Sequence, residues 1–176
     1  MFLGESIINM ELFFLKYNFS EEMKVNIYSW QEILFGLENK IITAEKVKEY
    51  ASYIINENMA GYDIILEIIC QYDYEDIDLY LQKLISLEEK QNKADIQDKW
   101  LYLILKWLYK NRSNIENILE IVEEIYEQFD YPNSIAPFVR YMPSEEGDLG
   151  SPELNRERLF KNWDNYLKMF EEQHIQ

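Results

Sequence analysis

The sequence predicts an all-α protein, and three observations carry that prediction. Residues 98–110, DKWLYLILKWLYK, set Trp100, Leu101, Leu103, Ile104, Leu105, Trp107 and Leu108 most of the way round a 3.6-residue period. That distribution marks a helix covered by protein on nearly every side. Apolar stripes of the same period recur along the rest of the chain, separated by caps and short polar links. No segment alternates apolar and polar residues as a half-buried strand would. The stripes fall into successive pairs, at 30–57, 62–88 and 98–129, which points to stacked antiparallel helical hairpins. A short α-solenoid-like array and a globular helical bundle both fit, and the pairs share no repeat motif.

Taken in order, the chain begins with a helix over Phe2 to Tyr17 built on Ile7, Ile8, Leu12, Phe13, Phe14 and Leu15. After the polar link NFSEEMKVN, Ser29 precedes Trp30 and is followed three residues later by Glu32. This is the capping-box pattern, in which each side chain satisfies a free backbone N–H. The helix it opens, Trp30 to Glu38, carries Trp30, Ile33, Leu34 and Leu37 on one face and ends at Asn39 and Lys40. Thr43 caps the next, with Val47, Tyr50, Ala51, Ile54 and Ile55 as its stripe. Ala60 and Gly61 break the run, Tyr62 to Gln71 opens another helix, and Asp73 or Asp76 starts a further one on Ile77, Tyr80, Leu81, Leu84, Ile85 and Leu87. EEKQNKADIQ is a polar surface connection.

The central helix follows, and Asn114 is the expected cap of a helix over Ile115 to Phe129. Its apolar face is Ile115, Ile118, Leu119, Val122, Ile125, Tyr126 and Phe129, and its acidic face is Glu116, Glu120, Glu123 and Glu127. From Asp130 the texture changes: the run YPNSIAPFVRYMPSEEGDLGSPE holds all four prolines, at 132, 137, 143 and 152, and a long helix cannot pass through the loop at 130–151. Ser151 caps a last helix at 152–170, with Pro152 at its first position and Leu154, Leu159, Trp163, Tyr166, Leu167 and Phe170 as its stripe. The tail EEQHIQ is expected to fray.

The 176 residues fit one all-helical domain, 1–176, and a domain of that size buries about 70% of the surface its unfolded chain exposes. The single cysteine, Cys70, lies in the apolar run IILEIIC and reads as a small buried hydrophobe in a reducing compartment. The start, MFLGESIINMELFF, has no basic region ahead of its apolar residues and is interrupted by Glu5 and Glu11, so a cytoplasmic location is expected. Lys99 and Lys106 close LYLIL on either side, too short for a membrane span.

Charge is the strongest global feature. There are 33 acidic against 17 basic residues, a formal net charge of −16. Such a field repels nucleic-acid phosphates and anionic lipids, which argues against nucleic-acid and membrane partners, and it favours encounter with a basic protein. Between Lys48 and Lys83 there is no Lys or Arg, and Asp73, Glu75, Asp76 and Asp78 concentrate negative charge at one helix junction. A merely solvated acidic face has the same appearance.

Chemistry-bearing motifs are few. The sequence has no glycine-rich phosphate loop, no Cys or His pair at metal spacing, and one histidine, His174, near the end. Glu116 and Glu120 have helical spacing, but the Glu-x-x-His partner motif of carboxylate-bridged metal bundles is missing. No metal, cofactor or catalytic residue is assigned. Arg140, in FVRYMP, is the one basic residue between Arg112 and Arg156. It is a candidate to bind an anion, or to lock the loop by pairing with Asp130 or Asp148. Tyr131, Phe138 and Tyr141 in the same loop suit an interface or a lid over the core.

The run FDYPNSIAPFVRYMP, then GDLGS and a helix ending in NW, resembles an uncharacterised bacterial family, a domain of unknown function. WQEILFGLENKIIT, the EKVKEYA helix and KWLYLILKWLY also resemble it, so the likeness covers about residues 12–168. The resemblance brings no established activity. Its general character is similar to that of immunity proteins, which neutralise toxins of interbacterial competition. The expected function is accordingly a non-enzymatic, acidic protein-binding module, with Asp73, Glu75, Asp76, Asp78, Glu116, Glu120, Glu123 and Glu127 as its partner-binding residues. The alternatives are an enzyme whose pocket lies at the 130–151 loop and a helical scaffold or adaptor. The sequence leaves the oligomeric state open.

Overall fold

A computed structural model describes residues 28–72, 76–144 and 147–174. Among these residues the secondary structure is helical throughout, with no strand. The helices are α1 (Trp30–Glu38), α2 (Ala44–Ile54), α3 (Tyr62–Cys70), α4 (Ile77–Ile85), α5 (Lys93–Asn111) and α6 (Ile118–Gln128), then a 3-10 turn (Ala136–Phe138) and α7 (Pro152–His174). The helix expected over 2–17 lies outside the described residues. The described chain divides into two compact units, one ending at Asp98 and the other beginning at Lys99, and α5 runs across the division.

In the first unit each helix packs on the next, and α1 also packs on α4. The α1/α2 and α3/α4 pairs are therefore two hairpins stacked with α2 on α3 and α1 on α4. Their shared interior holds Ile33, Val47, Ala51, Ile65, Ile68, Ile77, Leu81 and Leu84, all essentially without solvent contact. Burial of that kind supplies the main favourable term for helices too short to stand alone.

The start of α1 shows how completely its backbone is satisfied. The Ser29 capping box is formed, with Glu32 N–H donating to Ser29 Oγ at 3.1 Å and Ser29 N–H donating to Glu32 Oε2 at 2.9 Å. The other two free donors of the first turn, Trp30 N–H and Gln31 N–H, reach the Glu88 carboxylate at 2.7 and 3.2 Å. Glu88 thus leaves the surface-connection role expected of EEKQNKADIQ and becomes a second cap, its charge set against the positive end of the helix dipole. Helix α5 itself takes up the second half of that segment from Lys93.

Helix α1 ends in a Schellman motif: Lys40 N–H donates to Leu37 O at 3.0 Å and Ile41 N–H to Gly36 O at 2.8 Å. Lys40 occupies the left-handed position, at φ 57°. Thr43 caps α2 as expected. Gly61 precedes α3 at φ 78°, a backbone conformation that favours glycine, and a β-carbon there would stand 2.5 Å from Leu84 Cδ2, so that the Leu84 side chain would have to shift. Asp76 stands at the start of α4 without a side-chain cap bond.

Cys70 corrects the sequence reading, because it is exposed. The core face of α3 is taken by Ile65 and Ile68, three residues apart, whereas Leu66 and Cys70 share an outward row at i, i+4. Leu87, expected in the stripe of α4, is likewise exposed, since it lies beyond the helix end at Ile85.

In the second unit the central helix is as apolar in structure as in sequence. From Trp100 to Leu105 every residue is buried, as are Trp107 and Leu108. Helix α6 starts at Ile118, three residues later than expected. Asn117 adopts a left-handed backbone, φ 53°, which a helix interior does not accept, so Ile115 to Asn117 form a turn. The proline-bearing loop folds inward at the 3-10 turn: Ile135, Phe138 and Val139 are buried, and Phe138 stacks on Trp163 of α7 with ring centroids 5.6 Å apart. Phe138 is thus a core residue rather than an interface one.

Helix α7 runs to His174, past the frayed tail expected from 171. Glu171 accepts from Tyr102 Oη at 2.7 Å and Lys106 Nζ at 2.8 Å, and the rings of Phe170 and His174 stack at 4.2 Å. These contacts fasten its last turn. At its other end Leu154 is exposed, contrary to the expected stripe, because the buried face begins only at Trp163.

Candidate binding surface

The α6 row and the loop that follows form one continuous feature in the second unit. Glu120, Glu123 and Glu127 sit on α6 at i, i+3 and i+7, beside the buried face of Ile118, Leu119, Val122 and Ile125. Glu116 is exposed in the turn before the helix and so leaves the row that the sequence assigned to it. Of the other acidic group, Asp76 and Asp78 are exposed at the start of α4, where negative charge favours a helix N-terminus. Asp73 and Glu75 lie outside the described residues.

Arg140 does not pair with Asp130 or Asp148. Its Nε and one terminal nitrogen donate to the two Glu123 carboxylate oxygens at 2.6 and 2.9 Å, and the other terminal nitrogen lies 3.6 Å from Glu120. The fork matches a carboxylate bidentately. Hydrogen bonding to Glu123, outweighing partial desolvation and reinforced by both glutamates' charges, raises the Arg140 pKa. Asp148, one of the two expected partners, is engaged elsewhere. Asp148 accepts from Asn155 Nδ2 at 2.6 Å and Gly150 N–H at 3.0 Å, and these bonds, the Asn155 one first, hold its carboxyl below the ordinary value.

Asp130 sits at the left-handed position of the Schellman motif that ends α6. Its N–H donates to Glu127 O at 3.1 Å, and Tyr131 N–H donates to Tyr126 O at 2.8 Å. Asp130 and Tyr131 both have positive φ, 61° and 57°. A left-handed backbone costs a residue with a β-carbon roughly 1–2 kcal/mol. It is uncommon for a residue as bulky as tyrosine.

That turn brings three tyrosines together. Tyr126 is buried; the Tyr131 ring meets it edge-on at 5.3 Å, and the Tyr141 ring lies 6.2 Å away, tilted. Tyr131 is 50% and Tyr141 59% exposed, so two aromatic rings stand in solvent over a buried third. The Glu127 charge first, then desolvation, raises the pKa of Tyr131. Tyr141 is raised by desolvation first, then by its neighbours Tyr126, Tyr131, Glu123 and Glu127. Tyr131 and Tyr141 were visible in the sequence as loop aromatics. Their gathering on Tyr126 was not, because it depends on the left-handed turn at 130–131.

A family model described as an uncharacterised protein conserved in bacteria (DUF2247) matches residues 17–171. No curated protein and no solved structure matches the chain. No helix among the described residues is long and apolar enough to cross a membrane.

Proposed function

We propose that this chain, which belongs to the DUF2247 family, is a non-enzymatic acidic module that binds a basic protein partner, of the kind by which an immunity protein neutralises a toxin domain. One observation carries the reading: exposed carboxylates and two exposed tyrosines share the end of α6 in a chain of net charge −16. Long-range attraction speeds encounter with a positive surface, and aromatic anchors set the lifetime of the complex. The enzymatic alternative would have Arg140 hold an anionic substrate, whereas its guanidinium faces Glu123 and Glu120.

The test is binding kinetics against a panel of basic bacterial toxin domains, beginning with those encoded beside genes of this family. One domain should bind, with an association rate that falls steeply as salt rises. Two charge reversals, Asp76→Lys with Asp78→Lys and Glu116→Lys with Glu120→Lys, report the two acidic groups separately. At least one should slow association and flatten the salt dependence. A panel without a binder, or a binder indifferent to both reversals, defeats the proposal.

A further inference from the structure

We infer that Tyr131, Tyr141 and Glu127 form a seat for one arginine side chain of the basic partner, an inference that rests on the acidic-module reading above. Three features point to that occupant. Tyr131 and Tyr141 are exposed on the same buried ring, Tyr126, and each offers a negative aromatic face to a planar cation. Glu127 is exposed on the last turn of α6, and its backbone carbonyl accepts from Asp130 N–H in the turn that carries Tyr131, so its carboxylate stands beside that turn as an acceptor for an incoming donor. The local charge is unbalanced: Glu120, Glu123, Glu127 and Asp130 stand against one guanidinium, that of Arg140, which gives a net of −3 (four negative, one positive).

Arg140 already fills the Glu120–Glu123 side, which leaves the Glu127 side to an incoming group. Guanidinium suits that side better than ammonium. It stacks on aromatic faces and can bind a carboxylate through two parallel donors, whereas a lysine ammonium is a compact, strongly hydrated point charge. The backbone of the turn is held by the two Schellman hydrogen bonds, so the Tyr131 ring is placed before any partner arrives.

The experiment uses the full chain and two fluorescent probes, nona-arginine and nona-lysine, with fluorescence anisotropy at two salt concentrations. The unaltered protein should bind the arginine probe several-fold more tightly than the lysine probe. Tyr131→Ala with Tyr141→Ala should weaken arginine binding by that same several-fold factor and bring it to the lysine level, with the salt slope unchanged. Tyr131→Phe with Tyr141→Phe, which keeps both rings, should stay within about twofold. If the double alanine variant loses its helical circular dichroism, Tyr141→Ala alone gives the same comparison at a position with no left-handed backbone.

Equal affinity for the two probes, or alanine variants that bind as tightly as the unaltered protein, overturns the seat. The acidic-module reading then still stands if Glu116→Lys with Glu120→Lys weakens both probes, since those residues lie outside the seat. If the unaltered protein binds neither probe, both readings fall.

Discussion

Arg140 reaches Glu123 with ideal fork geometry, yet its side chain is 44% exposed, and that exposure decides its worth. Water screens the pair, so Arg140→Ala should cost less than about 1 kcal/mol in denaturant unfolding. A double-mutant cycle with Glu123→Gln isolates the coupling, which should shrink further in high salt. A loss of several kcal/mol would mean that Arg140 holds the loop by more than charge. Trp107 presents the opposite case: it is 6% exposed on a helix whose neighbours are buried in succession. Trp107→Ala removes a large apolar volume and leaves a cavity, at a cost of about 3–5 kcal/mol. A near-silent substitution would contradict its placement in the core.

At the scale of an element, the ends of the helices carry the sharpest predictions. Lys40 takes the left-handed position that ends α1, where glycine is ordinarily preferred. Lys40→Gly relieves the strain of a β-carbon but adds freedom to the unfolded chain, so the net gain should be about 0.5–1 kcal/mol, read as a higher melting temperature. At the other end, Glu88→Ala should cost about 1–2 kcal/mol, because Trp30 and Gln31 lose their acceptor at a half-buried site. The two ends also show what the sequence could tell. The Ser29 and Thr43 caps were legible because a cap and its target lie three residues apart. The Glu88 cap spans 58 positions and exists only once the hairpins stack. The partner of Arg140 was misread for a related reason: Asp130 and Asp148 are both nearer in the chain than Glu123, but Asp148 is taken by Asn155 and Gly150, and Arg140 meets the glutamates of α6 only once the loop has folded back on that helix. The central helix was legible because its apolar residues surround it, whereas Cys70 was misread because a continuous apolar run conceals which face of a short helix is buried.

Across the whole molecule, a net charge of −16 opposes compaction while the paired groups support it, and pH separates the two. Glu171 is held below its ordinary value of 4.5, chiefly by the Lys106 hydrogen bond, and Asp148 and Glu153 are lowered as well. A depressed folded value contributes stability above the unfolded value that is lost as pH falls through the folded one, so this contribution fades below about pH 4.5. Tyr50, Tyr102 and Tyr109 are raised above 10.0, first by desolvation. Lys106 is raised above 10.5, because its bonds to Glu171 and Tyr102 outweigh burial. Raised groups contribute stability that is complete below the unfolded value and lost as pH rises through the folded one, which places the alkaline loss above about pH 10. Protonating carboxylates relieves repulsion on the acid side, whereas ionising tyrosine and neutralising lysine add to it on the alkaline side. The alkaline fall should therefore be the steeper of the two, and the stability maximum should lie toward the acid end of the plateau. Melting temperature followed from pH 3 to pH 11 at low and high salt checks this. High salt should raise it by a few degrees near pH 8 and by little near the isoelectric point of 4.4, where there is little net charge to screen. Tyr50 is the residue to vary, since its hydroxyl both accepts from Tyr28 N–H and donates to Tyr28 O at 2.8 Å, a bond that its ionised form cannot give. Tyr50→Phe should lower stability by about 1–3 kcal/mol at neutral pH and make the alkaline fall shallower. If the fall keeps its slope in that variant, ionisation of Tyr50 plays no part in it.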